Sequence, residues 1–378
     1  MSNVIQMSNV NPMTNVIAGA GDQVYKKLVY AIQNNNLQRF YPYERVVKLT
    51  QQISSVSLLE LSNAFRITAE VAIDLYQLAL YDIVILADDS GSMTTDSRID
   101  ELSAVVEKIA GVASRFDQDG MTLCFLNDAK VSSNLRAADV SSALQKVRFS
   151  GRTPIGSVLR QRILYPMVIK KMSHGQLQKP VLVITLTDGE PDSKDDLVKT
   201  LQEAKDFNLS TGSTCAAFEF AQIGTDPTAQ RFLNELDVHP SIGNIVDVTS
   251  SFELEEEEYA KAGATLTPHM WILKLMLGAI DPQYDSADEM AMGDLAEPAV
   301  LNNPTMVRLV LSVYAYMMSN INTVVADMVR MRRQHPEPNE RFEVVFSQLI
   351  AHRRPPNRGA LFPKFKYLTF KILLDLLR

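Results

Sequence analysis

The sequence predicts an α/β fold, a doubly wound and mainly parallel sheet with helices on both faces. Three observations lead there. Short apolar runs recur at Ile83–Ala87, Met121–Leu126, Val181–Leu186, Cys215–Ile223 and Asn244–Val248. Amphipathic stretches separate them, the clearest with Ile99, Leu102, Val105, Val106, Ile109 and Val112 on one face. Strands alternating with helices of this length form βαβ units, which require a parallel sheet covered on both sides. Right-handed crossovers then leave few topologies, of which the doubly wound sheet is the commonest.

Taken in chain order, residues 1–21 carry a crude Ser/Thr-Asn-Val repeat without helical or strand period and are expected to be a disordered lead. Residues 22–80 are a helical extension of about three helices. Their faces are Val24, Leu28, Ala31 and Ile32, then Val46, Val47, Leu49 and Ile53, then Val71, Ala72, Leu75, Leu78 and Ala79. Residues 81–250 hold the sheet. Residues 251–284 continue helically and open with the acidic Glu253 and Glu255–Glu258, which read as a solvated helix face. Residues 285–378 are a linker and a helical, basic tail. The tail ends in a basic and aromatic stripe, Leu361–Arg378, expected to pack on its own domain rather than lie on a membrane surface.

The 378 residues are 46% hydrophobic and 21% charged, as in an ordinary globular protein. A net charge of -7 argues against a general nucleic-acid binder, which needs a basic surface. The charge is uneven, because the segment from Val329 to Arg378 holds 11 Lys/Arg against 4 Asp/Glu. Cys124 and Cys215 both sit in apolar runs and read as reduced core thiols. No secretory leader and no transmembrane stretch is visible, so a cytoplasmic location is expected.

The chemistry lies in Asp88-Asp89-Ser90-Gly91-Ser92-Met93, directly after the first strand. Ligand sites in a doubly wound sheet form beyond the carboxyl ends of the strands, where the strand order reverses. Asp88, Ser90 and Ser92 are delivered there, and Gly91 is expected to let the loop turn tightly. Hydroxyl and carboxylate oxygens without His or Cys suit a hard cation such as Mg2+ or Mn2+. Two further oxygens are available. Thr153 sits just before a helix, with Pro154 suited to its first position, and Asp188 follows the strand Val181–Leu186. Asp89 is expected to turn away from the cation and cap or solvate the loop, and Glu190 and Asp192 read as solvated turn residues, with shaping of the rim as their alternative role. The five histidines show no metal-ligand spacing.

Asp88-x-Ser90-x-Ser92, followed by Thr153 and Asp188, resembles the metal-ion-dependent adhesion site (MIDAS) of von Willebrand factor A (vWA) domains. The resemblance spans roughly Tyr81 to Ser250 and looks nearest to intracellular, fungal-type members. It implies that Ser90 and Ser92 bind Mg2+ directly, that Thr153 binds it directly or through water, and that Asp88 and Asp188 act mostly through waters. It also implies a protein partner that fills the remaining position with an Asp or Glu. The expected function is therefore a metal-dependent protein-binding module and not an enzyme. One alternative is a scaffold that binds through its helical flanks with a vestigial metal site. The other is a serine hydrolase, for which the G-x-S-x-G elbow is absent.

Overall fold

Six strands form one sheet in the order β3-β2-β1-β4-β5-β6. They are β1 (Asp82–Ala87), β2 (Met121–Phe125), β3 (Val131–Leu135), β4 (Val181–Thr187), β5 (Ala216–Gln222) and β6 (Val246–Thr249). The computed structural model describes residues 20–116, 120–261 and 263–284. The expectations of a disordered lead before residue 20, and of a linker and basic tail from 285 to 378, lie outside the described residues.

Every strand pair is parallel except β2 with β3. The sequence reading contained five strands and missed β3. Its sequence, VSSNL, buries only Leu135, because an edge strand needs no apolar run. The last strand also starts later than the apolar run did, at Val246, since Gly243–Ile245 closes a 3-10 turn. By contrast β1 and β4 are buried almost throughout and read in the sequence as continuous hydrophobic stretches.

From β1 the chain moves outward in opposite directions, first to β2 and later through β4 to β5 and β6. Right-handed crossovers therefore put α5 (Arg98–Phe116) on one face and α9 (Lys194–Thr211) and α10 (Pro227–Asp237) on the other. That reversal makes the gap between the carboxyl ends of β1 and β4 the place where a ligand crevice forms. Between β3 and β4 lie α6 (Ala137–Leu144) and a composite helix. The composite begins as α7 (Ile155–Val158), widens into a π-helical stretch at Leu159–Ile169 and ends as α8 (Lys170–Ser173). Pro166 lies inside the wide stretch, where its missing N–H removes a donor from the regular helical ladder.

The helical flanks complete the α5 layer. Before β1 come α1 (Ala20–Asn34), α2 (Tyr43–Ile53), α3 (Leu58–Phe65) and α4 (Ala69–Ala72), the last tightening into a 3-10 segment at Ile73–Leu80. This is four α-helices rather than about three. The short α3 has too few turns to show a period, although the Ser57 hydroxyl accepts from Glu60 N at 3.2 Å as its cap. After β6 come α11 (Phe252–Lys261) and α12 (Pro268–Leu277). Both α12 and the 73–80 segment pack against α5, and Tyr76 meets Phe116 edge-to-face with ring centroids 5.3 Å apart.

A polar knot fastens the two flanks to each other. Lys27 Nζ lies 2.6 Å from Asp74 Oδ1 and 2.8 Å from Asp281 Oδ2. Gln77 donates to the same Asp281 oxygen, and the Tyr284 hydroxyl donates to Asp74 Oδ2. Glu255 corrects the reading of the acidic run as a solvated face. Its side chain turns under α11 and takes both carboxylate oxygens to within 2.8 Å of the buried Lys274 Nζ on α12. Glu256, Glu257 and Glu258 remain exposed.

Candidate metal centre at the carboxyl edge of the sheet

Asp88 leaves β1 still paired to β4, its N–H donating to Leu186 O at 2.9 Å. Its carboxylate is fully buried. Oδ1 accepts from Ser90 N at 2.8 Å and Oδ2 from the Thr187 hydroxyl at 2.7 Å. Burial pushes the Asp88 carboxyl up to about 6, against the hydrogen bonds from Ser90 and Thr187, which act to lower it. A cation nearby favours the charged form, so this carboxylate is placed to respond to one.

From Asp88 a chain of oxygens crosses between the two strand ends. Ser90 Oγ lies 3.0 Å from Ser92 Oγ, and Ser92 Oγ donates to Asp188 Oδ1 at 2.8 Å. Ser90 is buried and Ser92 exposed, so the chain runs from the interior toward solvent. Asp188 Oδ2 is held by Arg98 Nη1 at 2.5 Å. Four of the five sequence-predicted residues, Asp88, Ser90, Ser92 and Asp188, thus lie in one hydrogen-bonded neighbourhood.

Thr153 arrives through its backbone. Its N–H donates to Asp192 Oδ1 at 3.2 Å, and its carbonyl accepts from Asp192 N and Ile155 N, both at 2.9 Å. The same loop touches the first one, since Gly91 N donates to Gly151 O at 3.3 Å and Ser150 N to Asp89 O at 2.7 Å. Thr153 is therefore fixed between the Asp88–Ser92 loop and the Asp188–Asp192 loop. Pro154 stands at the cap of α7 rather than at its first helical position.

The expectation for Gly91 needs correction. It adopts an ordinary negative φ in a 3-10 turn, and a Cβ there would meet only Gly151 O, at 3.9 Å. The glycine that the loops require is Gly151. Its φ is +110, and a Cβ would come within 2.5 Å of Asn127 Oδ1. Asp89 points away from the serines. Its carboxylate accepts from Asn127 N, Asn127 Nδ2 and Asp128 N at 2.7, 3.0 and 2.8 Å, which ties the first loop to the end of β2.

Reading the sequence alone gave no role to Arg98 or Thr187, and took Asp192 for a solvated turn residue. Thr187 looks like one more strand residue, and Asp192 looks like any turn carboxylate. Arg98 did leave a signal. It opens a helix whose first turn is otherwise acidic, with Asp100 and Glu101, and the helix dipole disfavours a cation there.

The donor set is hard oxygen throughout, two carboxylates and two hydroxyls with Thr153 beside them. Among the described residues no three His, Cys, Asp or Glu side chains gather as a metal-holding cluster. With only two anionic donors, a cation here would keep waters, as Mg2+ does by preference, so the residues present fit a Mg2+-type ion.

Serine and aspartate oxygens thus gather at the switch point of a doubly wound sheet. Residues 81–262 match the vWA-TerF-like family model, described as the vWA found in the TerF C terminus, and this part of the chain is a vWA domain. No curated protein shows significant similarity to the chain. Among solved structures, proximal thread matrix protein 1 from the mussel byssus is similar at 18% identity and a TM-score of 0.33, over 53% of this chain and 47% of that one. The chain thus spans about half the length of the byssus protein. The manganese-loaded TRAP protein of Plasmodium vivax is similar at 16% identity and a TM-score of 0.30, over 51% of this chain and 74% of that one.

Proposed function

We propose that the crevice binds a divalent cation, Mg2+ or alternatively Mn2+, and through it an acidic side chain of a protein partner. The observation that carries this reading is the continuous contact of Ser90 Oγ, Ser92 Oγ and Asp188 Oδ1, at 3.0 and 2.8 Å, across loops 96 residues apart in sequence. The Ser92 hydroxyl has little else to do for stability, because Ser92 is exposed.

In this reading Ser90 and Ser92 hold the cation directly, with Thr153 direct or through water. Asp88 and Asp188 set the charge around it. When bound, the ion supplies an electrophilic point for an outside carboxylate. Few anionic donors leave its charge poorly neutralised, which is what makes an Asp or Glu from outside attractive.

The same contacts favour a binding module over a hydrolase. Each serine hydroxyl has an oxygen partner, and neither is hydrogen-bonded to a histidine that would activate it. Two buried free thiols are in keeping with the cytoplasmic location proposed for such a module. Among the described residues no helix is long and apolar enough to cross a membrane.

A pull-down from cytosolic extract by the full chain tests the function. Partners should be captured in Mg2+ and lost in EDTA, and an Asp188→Ala chain should capture none in either buffer. Equal capture under all these conditions would favour the scaffold reading, in which the helical flanks do the binding.

A further inference from the structure

Arg98 reaches into the crevice although a cation site has no obvious use for a second positive charge. It enters from the first turn of α5, and its Nη1 takes Asp188 Oδ2 at 2.5 Å. The Asp188 side chain is fully buried, while that of Arg98 is 15% exposed. The other Asp188 oxygen accepts from Ser92 Oγ. Both oxygens of this carboxylate are therefore satisfied by the chain itself.

The guanidinium also has a built seat. Gly224, just after β5, has φ +72, and a Cβ there would stand 3.1 Å from Arg98 Nε. The Gly224 N–H donates to Glu101 Oε2 at 3.1 Å, one helical turn along α5 from Arg98. The backbone of a neighbouring loop is thus left bare and pinned where the arginine passes.

We propose that Arg98 is a tethered counter-ion that neutralises Asp188 in the metal-free site and weakens the site's hold on a divalent cation. This rests on the metal reading above. A buried carboxylate without a partner is strongly unfavourable, so the pair keeps the crevice assembled before any ion arrives. Once a cation occupies the serine hydroxyls, the guanidinium is a like charge at close range and repels it. An arriving partner carboxylate offsets both charges at once. Cation and partner then bind with positive cooperativity, each raising the affinity of the other by the same factor.

Calorimetric titration of MgCl2 into the full chain tests this, using wild type, Arg98→Gln and Arg98→Lys, with thermal melts in EDTA and in Mg2+. Removing one positive charge next to the ion should tighten Mg2+ binding by about tenfold or more in Arg98→Gln. The same chain should melt lower in EDTA and regain more on adding Mg2+. Arg98→Lys keeps the charge and should bind Mg2+ as wild type does. Unchanged or weaker affinity in Arg98→Gln overturns the proposal, including the case in which it merely melts lower in both buffers. A lysine chain that shifts as far as the glutamine chain also overturns it. If wild type binds neither Mg2+ nor Mn2+ and both variants behave likewise, the metal centre itself is wrong, and this inference goes with it.

Discussion

Several charged side chains are buried away from the oxygens of the crevice. Lys274 and Glu255 meet with side chains 1% and 4% exposed. Glu255→Ala takes both of its carboxylate oxygens away from a buried ammonium and should lower the urea midpoint, whereas replacing both residues with apolar ones should lower it far less. Nearby, Glu219 on β5 stands opposite Asp247 on β6, with the Thr249 hydroxyl on Glu219 Oε1 at 2.8 Å. Burial first, and the Asp247 carboxylate second, hold Glu219 well above its ordinary 4.5, against the pull of Lys274. A raised carboxyl contributes stability that is complete below 4.5 and is lost as pH climbs toward the folded value. Stability should therefore fall with rising pH above about 4.5, and Asp247→Asn should flatten that fall. Urea midpoints at pH 5 and pH 8 measure it. An equal fall in both chains would contradict the assignment. None of this could be read in the sequence, where Glu219 is one polar letter in an apolar run. The gathering of Asp88, Ser90, Ser92 and Asp188 was legible because Asp88 and Asp188 follow directly on strands whose positions were already clear.

At the scale of elements, close approach explains what propensity does not. Gly156 on α7 faces α9 so closely that a Cβ would fall 2.5 Å from Leu197 N. Gly156→Ala should therefore destabilise by about 1–3 kcal/mol, the cost of overpacking. Gly111→Ala on α5, where a Cβ meets nothing within 4 Å, should instead stabilise by roughly 0.5–1 kcal/mol. Paired melts of the two variants check the contrast. The helix from Ile155 to Ser173 was legible only as a helix. Its π-helical stretch arises around Pro166, and Arg162 within it donates to Phe125 O and Asp128 O, bracing the loop that holds Asp89. β3 was illegible for a different reason, since a solvated edge strand has no alternation to detect once four of its five residues are not buried.

Across the whole molecule, the vWA match ends at residue 262 while the hydrophobic core does not. Leu75, Leu78 and Leu80 before the sheet, and Leu273, Leu275 and Leu277 after it, are completely buried. The Lys27, Asp74 and Asp281 knot ties the segments before and after the sheet to each other. A fragment of residues 81–262 should therefore lack a cooperative thermal transition, and one of residues 20–284 should keep it. Calorimetry of the two fragments decides. The doubly wound sheet was predictable from alternating patterns, but the merging of the flanks with its α5 layer was not, because amphipathic helices do not say what they cover.

The most direct measurement is anomalous diffraction from crystals of the full chain soaked in Mn2+. The account predicts one strong peak, about 2.1 Å from both Ser90 Oγ and Ser92 Oγ, and its loss in a Ser90→Ala, Ser92→Ala double variant. A peak elsewhere, or none at a Mn2+ concentration that fills ordinary carboxylate sites, would contradict it.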